Sequence, residues 1–431
     1  MTANPTRRAL LGGGVLAGVA GLAGCTATGS EPAQPPRKDT AAPFDPADWD
    51  SVRAQFALDP ALAHFAAFTL AAHPAPVRAA VERHRQGLDA DTDLYLHGAT
   101  GGENAQGREE AVRQAAARHL GTDPGRIALT DSTTMGLGLL YTGLKLRPGQ
   151  RILTTEHDFY ATHESIALAA SRHGVAVDRA RLYDDPASAT VDEIVSRLRA
   201  RLTPRTRVVA ITWVHSGTGV RLPVKAVADM LAEFNRDLEP RNRALLCVDG
   251  IHGLGAVDAG VDDLGADFLV SGTHKWLFGP RGTGLVWGRA WDAVTPVIPS
   301  FSGPDNPHTP GGYHSFEHRW AVTEAFAFHE AIGRARVAER TRELATRLKE
   351  GLAGIGGLRL ITPRDPALSA GLVCCAVASD HPAAVVRRLR DEHGVVAGIT
   401  PYRDVYLRFG PSIVTSPAQV DLAIKATAAL V

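Results

Sequence analysis

Between residues 127 and 287, seven short runs rich in β-branched and aliphatic residues recur, and stretches with helical patterning separate most of them. The runs are Ile127–Thr130, Arg151–Thr154, Val175–Ala180, Val208–Trp213, Ala244–Val248, Phe268–Ser271 and Gly284–Trp287. Ser165–Arg172, Val191–Arg201 and Val224–Asn235 lie between them with apolar residues at helical spacing, as do Pro76–Arg85 and Arg108–His119 upstream. Strands alternating with helices predict an α/β fold with a mainly parallel sheet, covered on both faces by the helices. Such sheets bind ligands beyond the carboxyl ends of their strands, so the chemistry is sought in the loops that directly follow the runs.

After residue 295 the texture changes. A Pro/Gly/His-rich loop, Ser300–Ser315, leads into a long helical pattern over Ala321–Leu352. Strands then follow at Leu358–Ile361 and Leu372–Val377, a helix at Pro382–His393, a strand at Val405–Phe409 and a helix from Pro417. These predict a small α+β C-terminal domain over 296–431, behind a large domain over 76–295 and an N-terminal arm over 49–75. Residues 26–48, rich in Pro, Ala, Thr and Ser, read as a tether without a core.

The first 25 residues read as an address. Arg7 and Arg8 precede an apolar, glycine-rich stretch reaching Gly24, which suits a signal region better than a spanning helix. Twin arginines there read as a Tat export signal. Leu22-Ala23-Gly24-Cys25 resembles a bacterial lipobox, so the expectation is a lipid anchor on Cys25 at the outer face of the cytoplasmic membrane, or a periplasmic or extracellular protein without it. Charge adds little: 46 basic and 46 acidic side chains cancel, and no net field draws the chain to nucleic acid. Cys247, Cys374 and Cys375 sit in apolar runs and read as buried hydrophobes, with no Cys-x-x-Cys to suggest zinc or redox work.

Three loops carry candidate chemistry. In Phe268-Leu269-Val270-Ser271-Gly272-Thr273-His274-Lys275-Trp276, a strand ends in small hydroxyl residues and one lysine stands in an apolar surround. A desolvated lysine can form an imine, although a loop lysine taken alone is ordinarily a solvated surface residue. In Val248-Asp249-Gly250-Ile251-His252, an acid at a strand end with a histidine three residues on suits half a metal site, a helix cap, or the carboxylate opposite a pyridine nitrogen. In Thr130-Asp131-Ser132-Thr133-Thr134, a strand runs through hydroxyls into a helix, which makes either a phosphate cup or an ordinary capped start.

In order and spacing, these segments resemble class V aminotransferases and their relatives, which include isopenicillin-N epimerase-like proteins, cysteine desulfurases and C–S lyases. Val248-Asp249-Gly250-x-His252, then Ser271-Gly272-Thr273-His274-Lys275, then Gly279-Pro280-x-Gly282-x-Gly284 carry the resemblance over residues 60–428. It implies the three-layer fold of type I enzymes dependent on pyridoxal 5′-phosphate (PLP). It implies Lys275 as the Schiff-base lysine and proton shuttle, Asp249 on the ring nitrogen, and His252 beside the ring. Thr133, Thr134, Ser271 and His274 fall where the family holds phosphate. His157, with Tyr160 as competitor, takes the place of the residue stacked on the ring. Ser216, next to His215, takes that of the group on the phenolic oxygen, and Arg408 that of the guanidinium on the substrate carboxylate.

Two departures are visible. Where many relatives carry a Gly-Thr that reaches the neighbouring subunit's phosphate, this chain reads Phe316-Glu317-His318-Arg319-Trp320, with Arg319 as a candidate replacement. The loop Ala397–Arg403 lacks the cysteine that desulfurases carry there, so persulfide chemistry is not expected. The resemblance further implies a homodimer acting on an amino acid or amine at its α carbon. Transamination is the expected reaction, epimerisation or C–S lysis the alternatives, and a lipid-anchored binding protein without catalysis the reading from another class.

Overall fold

The computed structural model describes residues 43–98, 104–301, 306–378 and 381–431. Arg7, Arg8, Cys25 and most of the tether lie outside them. The seven expected strands are all present: β1 (Ile127–Thr130), β2 (Arg151–Thr155), β3 (Ala176–Ala180), β4 (Thr206–Thr212), β5 (Leu245–Asp249), β6 (Phe268–Gly272) and β7 (Gly284–Gly288). They form one sheet in the order β1-β7-β6-β5-β4-β2-β3. All neighbours run parallel except those of β7, which is antiparallel to both β6 and β1. The reason is local. The β6–β7 connection has no helix, so the chain turns straight back and must pair antiparallel. That turn carries Lys275.

The central strands are buried on both faces. Val208 to Ile211 and Cys247 and Val248 are inaccessible to solvent, which is why they read as continuous apolar runs rather than as alternating ones. Helices Thr133–Gly143, Tyr160–His173, Val191–Arg199 and Val224–Phe234 connect or flank them. Gly136 lets the first of these lie on the sheet, since a Cβ there would stand 2.6 Å from Val270 and 3.0 Å from Val286.

Beyond residue 295 a second sheet forms from β8 (Leu358–Leu360), β9 (Val373–Val377), β10 (Gly398–Ile399) and β11 (Leu407–Phe409), antiparallel throughout in the order β10-β11-β9-β8. The continuous helical pattern expected over Ala321–Leu352 is instead two helices, Val322–Ile332 and Arg334–Ala353. Gly333, at φ 95°, lies between them in a conformation no α-helix continues through. The periodicity resumes after it, so spacing alone conceals the break.

The N-terminal arm reaches the second sheet. Ala63 and His64 pair in parallel with Val395 and Val396, and Ala66 bridges to Gly410. Phe68 is thereby set beside β11. Residues 43–48, at the end of the composition-defined tether, are docked: the Phe44 ring stacks on Phe328 at 5.1 Å, and Arg336 donates to the carbonyls of Pro46 and Ala47. The free edge of β1 is closed by side chains. Leu129 N–H donates to Thr309 Oγ1 at 3.0 Å, and Asn306 Nδ2 donates to the Ile127 carbonyl at 3.1 Å.

Candidate active site

Lys275 and His252 meet at 3.3 Å, Nζ to Nε2. The Trp276 indole donates to the other ring nitrogen of His252, Nδ1, at 3.2 Å. Because an indole N–H can only donate, Nδ1 must accept and the proton of the neutral ring sits on Nε2. Nε2–H then points its donor at Lys275, whose nitrogen accepts only as a free amine. The electrostatics agree. Burial, with Lys275 next to it, holds His252 well below its ordinary value. Burial also pushes the lysine down to about 8, against the pull of Asp249. Burial, with Arg408 nearby, thus brings the free amine within reach at mildly alkaline pH, and His252 is placed to donate to it. Trp276→Phe is expected to free the tautomer and raise the pH midpoint of imine capture at Lys275 by roughly 0.5–1 unit, read as borohydride-trapped cofactor against pH. An unchanged midpoint would remove the indole from this account.

Asp249 closes β5 and is buried. Its carboxylate accepts from Ile251 N–H at 3.1 Å and from Thr162 Oγ1 at 3.4 Å. Burial raises its pKa to about 6, with the Ile251 N–H and Lys275 acting against it. Among the described residues it makes no ion pair, so a buried acid stands ready for a protonated ring nitrogen.

Asp158 was not picked out by the sequence reading, and it builds the next wall. It accepts from Thr154 Oγ1 at 2.7 Å, Thr155 N–H at 2.8 Å and Thr212 N–H at 2.8 Å, tying the end of β2 to the end of β4. His157 is held beside it. Its Nε2 accepts from Leu182 N–H at 3.3 Å, and its ring stacks on Tyr183 with centroids 4.0 Å apart. Tyr160, the competitor, is 61% exposed and belongs to the next helix. His215 is fully buried, takes a hydrogen bond with Tyr183 Oη at 2.9 Å, and is pushed down to about 3 by burial.

At the helix start, Ser132 caps the backbone of Met135 and Thr133 Oγ1 accepts from Gly272 N–H at 2.7 Å, which joins the Thr133–Gly143 helix to the end of β6. Thr134 is exposed, half-buried His274 follows, and buried Ser271 spends its hydroxyl on the Gly272 carbonyl at 2.9 Å. The helix N-terminus with Thr133 and Thr134 offers donors to a phosphate. Arg319 does not. It is buried in ion pairs with Glu109 at 3.1 Å and Asp131 at 2.9 Å, so its guanidinium is already neutralised.

Arg408 lies on β11, 7% exposed. Nη1 donates to the Ser216 carbonyl at 3.1 Å, the guanidinium sits 4.1 Å from the Phe68 ring centroid, and Nε has no partner. No carboxylate pairs with it among the described residues. Ser216 in turn meets Tyr402, Oγ to Oη at 2.5 Å, a residue the sequence reading passed over. Cys374 and Cys375 are buried, with the Cys374 thiol pushed up to about 12.

A desolvated lysine with a lowered pKa, a buried acid without a cation, a hydroxyl-lined helix start and a buried arginine without an anion, on this sheet, define a PLP enzyme of fold type I. The chain belongs to the aminotransferase class-V family, whose profile matches residues 97–398, and its cofactor is pyridoxal 5′-phosphate. Isopenicillin N epimerase of Streptomyces clavuligerus is similar at 29% identity over 412 residues, covering 89% of this chain and 98% of that protein. Isopenicillin N epimerase of Amycolatopsis lactamdurans is similar at 27% identity, covering 75% and 83%. Among solved structures, the apo cysteine desulfurase of Thermococcus onnurineus NA1 superposes with a TM-score of 0.75 at 20% identity, covering 89% of this chain and 98% of that one. The cystine C–S lyase C-DES in complex with cysteine persulfide superposes with a TM-score of 0.74 at 19% identity, covering 85% and 97%. These two likenesses speak to the fold.

Proposed function

We propose that this chain inverts the α carbon of an amino acid that carries a free carboxylate. The carrying observation is Arg408: a buried guanidinium without a counter-charge is unfavourable until an anion arrives, and its planar fork suits a carboxylate. Bound PLP supplies an electron sink that lets the α proton leave. Arg408 orients the substrate by its carboxylate, Lys275 Nζ takes the proton from one face of the α carbon, inversion is completed by a proton delivered to the opposite face from a second donor, and Asp249 holds the charge on the ring nitrogen. His157 and His215, both pushed down to about 3, stay neutral and serve as walls rather than acids. Alignment along nearly the whole length of an epimerase supports inversion over transamination, the expectation from the family as a whole.

The test uses holoenzyme in deuterated water with single-enantiomer amino acids and no oxo acid. Deuterium at the α carbon with loss of optical purity is expected. Accumulation of pyridoxamine phosphate with release of an oxo acid would establish transamination instead, and a preparation without bound cofactor or turnover would leave a binding protein.

Two further readings belong to the same proposal. Export by the Tat route, with or without a lipid on Cys25, is supported by Arg7-Arg8 and Leu22–Cys25. Retention of an Arg7→Lys, Arg8→Lys variant inside the cell is the expected result. A homodimer is supported by Phe301 and Tyr313, 70% and 86% exposed on the 300–320 loop and 6.0 Å apart. A monomer with full activity in sedimentation would refute it.

A further inference from the structure

We propose that Tyr402 is a substrate-binding residue that completes the carboxylate subsite around Arg408 and selects carboxylates over amines that lack one. Tyr402 and Arg408 belong to one hairpin, the β10–β11 connection. Its neck is fixed by three hydrogen bonds: Thr400 N–H to the Tyr406 carbonyl at 3.0 Å, Tyr406 N–H to Thr400 Oγ1 at 2.8 Å, and Thr400 Oγ1 to the Asp404 carbonyl at 3.0 Å. The hairpin grips Ser216 at both ends. Arg408 donates to its carbonyl at 3.1 Å, and Tyr402 meets its hydroxyl at 2.5 Å. The Tyr402 ring can approach because residue 217 is glycine: a Cβ there would lie 3.0 Å from the ring. Phe159 meets the same ring edge-on at 6.1 Å, which ties the hairpin tip to the loop that carries His157.

Counting donors gives the function. Two hydroxyls that share one hydrogen bond keep one O–H over, and neither Ser216 Oγ nor Tyr402 Oη has a second partner among the described residues. Arg408 keeps an unpaired Nε–H in the same cluster. A carboxylate brings two oxygens with four acceptor positions, enough to engage the guanidinium and the spare hydroxyl together. Burial, with Asp158 and Asp249 not far off, keeps the phenol protonated at neutral pH, so it remains a donor. Ser216 alone would offer a freely rotating hydroxyl. Tyr402 fixes where that hydroxyl points and adds the donor that the pair presents.

The inference rests on Arg408 as the carboxylate anchor, so the experiment separates the two. Holoenzyme is titrated calorimetrically with propionate and with 1-propylamine, and KM and kcat are measured on the best amino acid. Tyr402→Phe keeps the ring on Gly217 and removes only the donor. It is expected to weaken propionate about tenfold, leave 1-propylamine within about twofold, and raise KM about tenfold with kcat little changed. Ser216→Ala is expected to weaken propionate similarly, with a double variant no worse than about either single one. Unchanged propionate binding in Tyr402→Phe would overturn the inference, as would an equal loss for both ligands, which would mark Tyr402 as a packing residue. Loss of propionate binding in Arg408→Lys alone would leave the anchor standing and this inference refuted. Unchanged binding in Arg408→Lys would remove the anchor itself.

Discussion

Lys275→Ala is expected to abolish the covalent link to the cofactor and to lower turnover by roughly 10³–10⁴-fold, the span of a lost nucleophile and general base. Mass spectrometry after borohydride reduction should find the cofactor on Lys275 in the parent and on no lysine in the variant, while Asp249 and the Thr133 helix start still bind it noncovalently. The lysine that burial lowers to about 8, beside His252 and Trp276, leads to this expectation. A reduced adduct on another lysine would displace the whole site. Lys349 is the sharpest control, because burial also lowers it to about 8. Its ammonium is bound to the Pro363 and Arg364 carbonyls and to Ser369 Oγ, so it is locked as a donor and should remain unlabelled.

The second large effect is acid lability. His119, His215 and His329 are buried, and burial holds them at about 4, 3 and 3 against an ordinary 6.5. Between those values and 6.5 the unfolded chain binds more protons than the folded one. Stability from these groups is therefore complete above pH 6.5 and falls as the pH drops below it. Each histidine contributes a slope of about 1.4 kcal/mol per pH unit in that window, and the three together about 4. Asp249, raised to about 6 from 3.8, has the opposite sign: the folded chain holds the extra proton between those values. Asp249 opposes several histidines, His157 and His252 acting in the same direction as these three, so the net change is a loss. Urea midpoints should be level from pH 8 to 6.5 and fall steeply by pH 5. His329→Phe should make the fall shallower by up to about 1.4 kcal/mol per pH unit, since its ring is fully buried. A flat profile through pH 5 would refute the argument.

The strands of the large sheet were legible to within one or two residues, all but the largely exposed edge strand β3 because burial writes a continuous apolar run into the sequence. Lys275 and Asp249 stood out because each follows such a strand, whereas Arg408 was singled out only through the family resemblance. What escaped depends on contacts between distant parts of the chain. Tyr402 and Ser216 are 186 residues apart, and no local pattern at Tyr402 announces the contact. Trp276 and Asp158 did carry a signal. Each stands beside a residue already singled out, and an indole or a carboxylate next to a strand-end lysine or histidine has few places to put its polar atoms. The neutralisation of Arg319 by Glu109 and Asp131 lies across more than 180 residues and left no such mark.

Among the described residues strand β1 has one backbone partner, β7, and its other edge is closed by Asn306 and Thr309. During synthesis, residues 127–130 must therefore wait for more than half of the remaining chain before they can pair. The bond from Gly272 to Thr133 spans 139 residues and waits with them. The Thr133 helix start and the end of β6 are thus among the last parts of the large sheet to come together, and the sheet cannot be completed before β7 has left the ribosome. A chain truncated anywhere before residue 288 should emerge colourless.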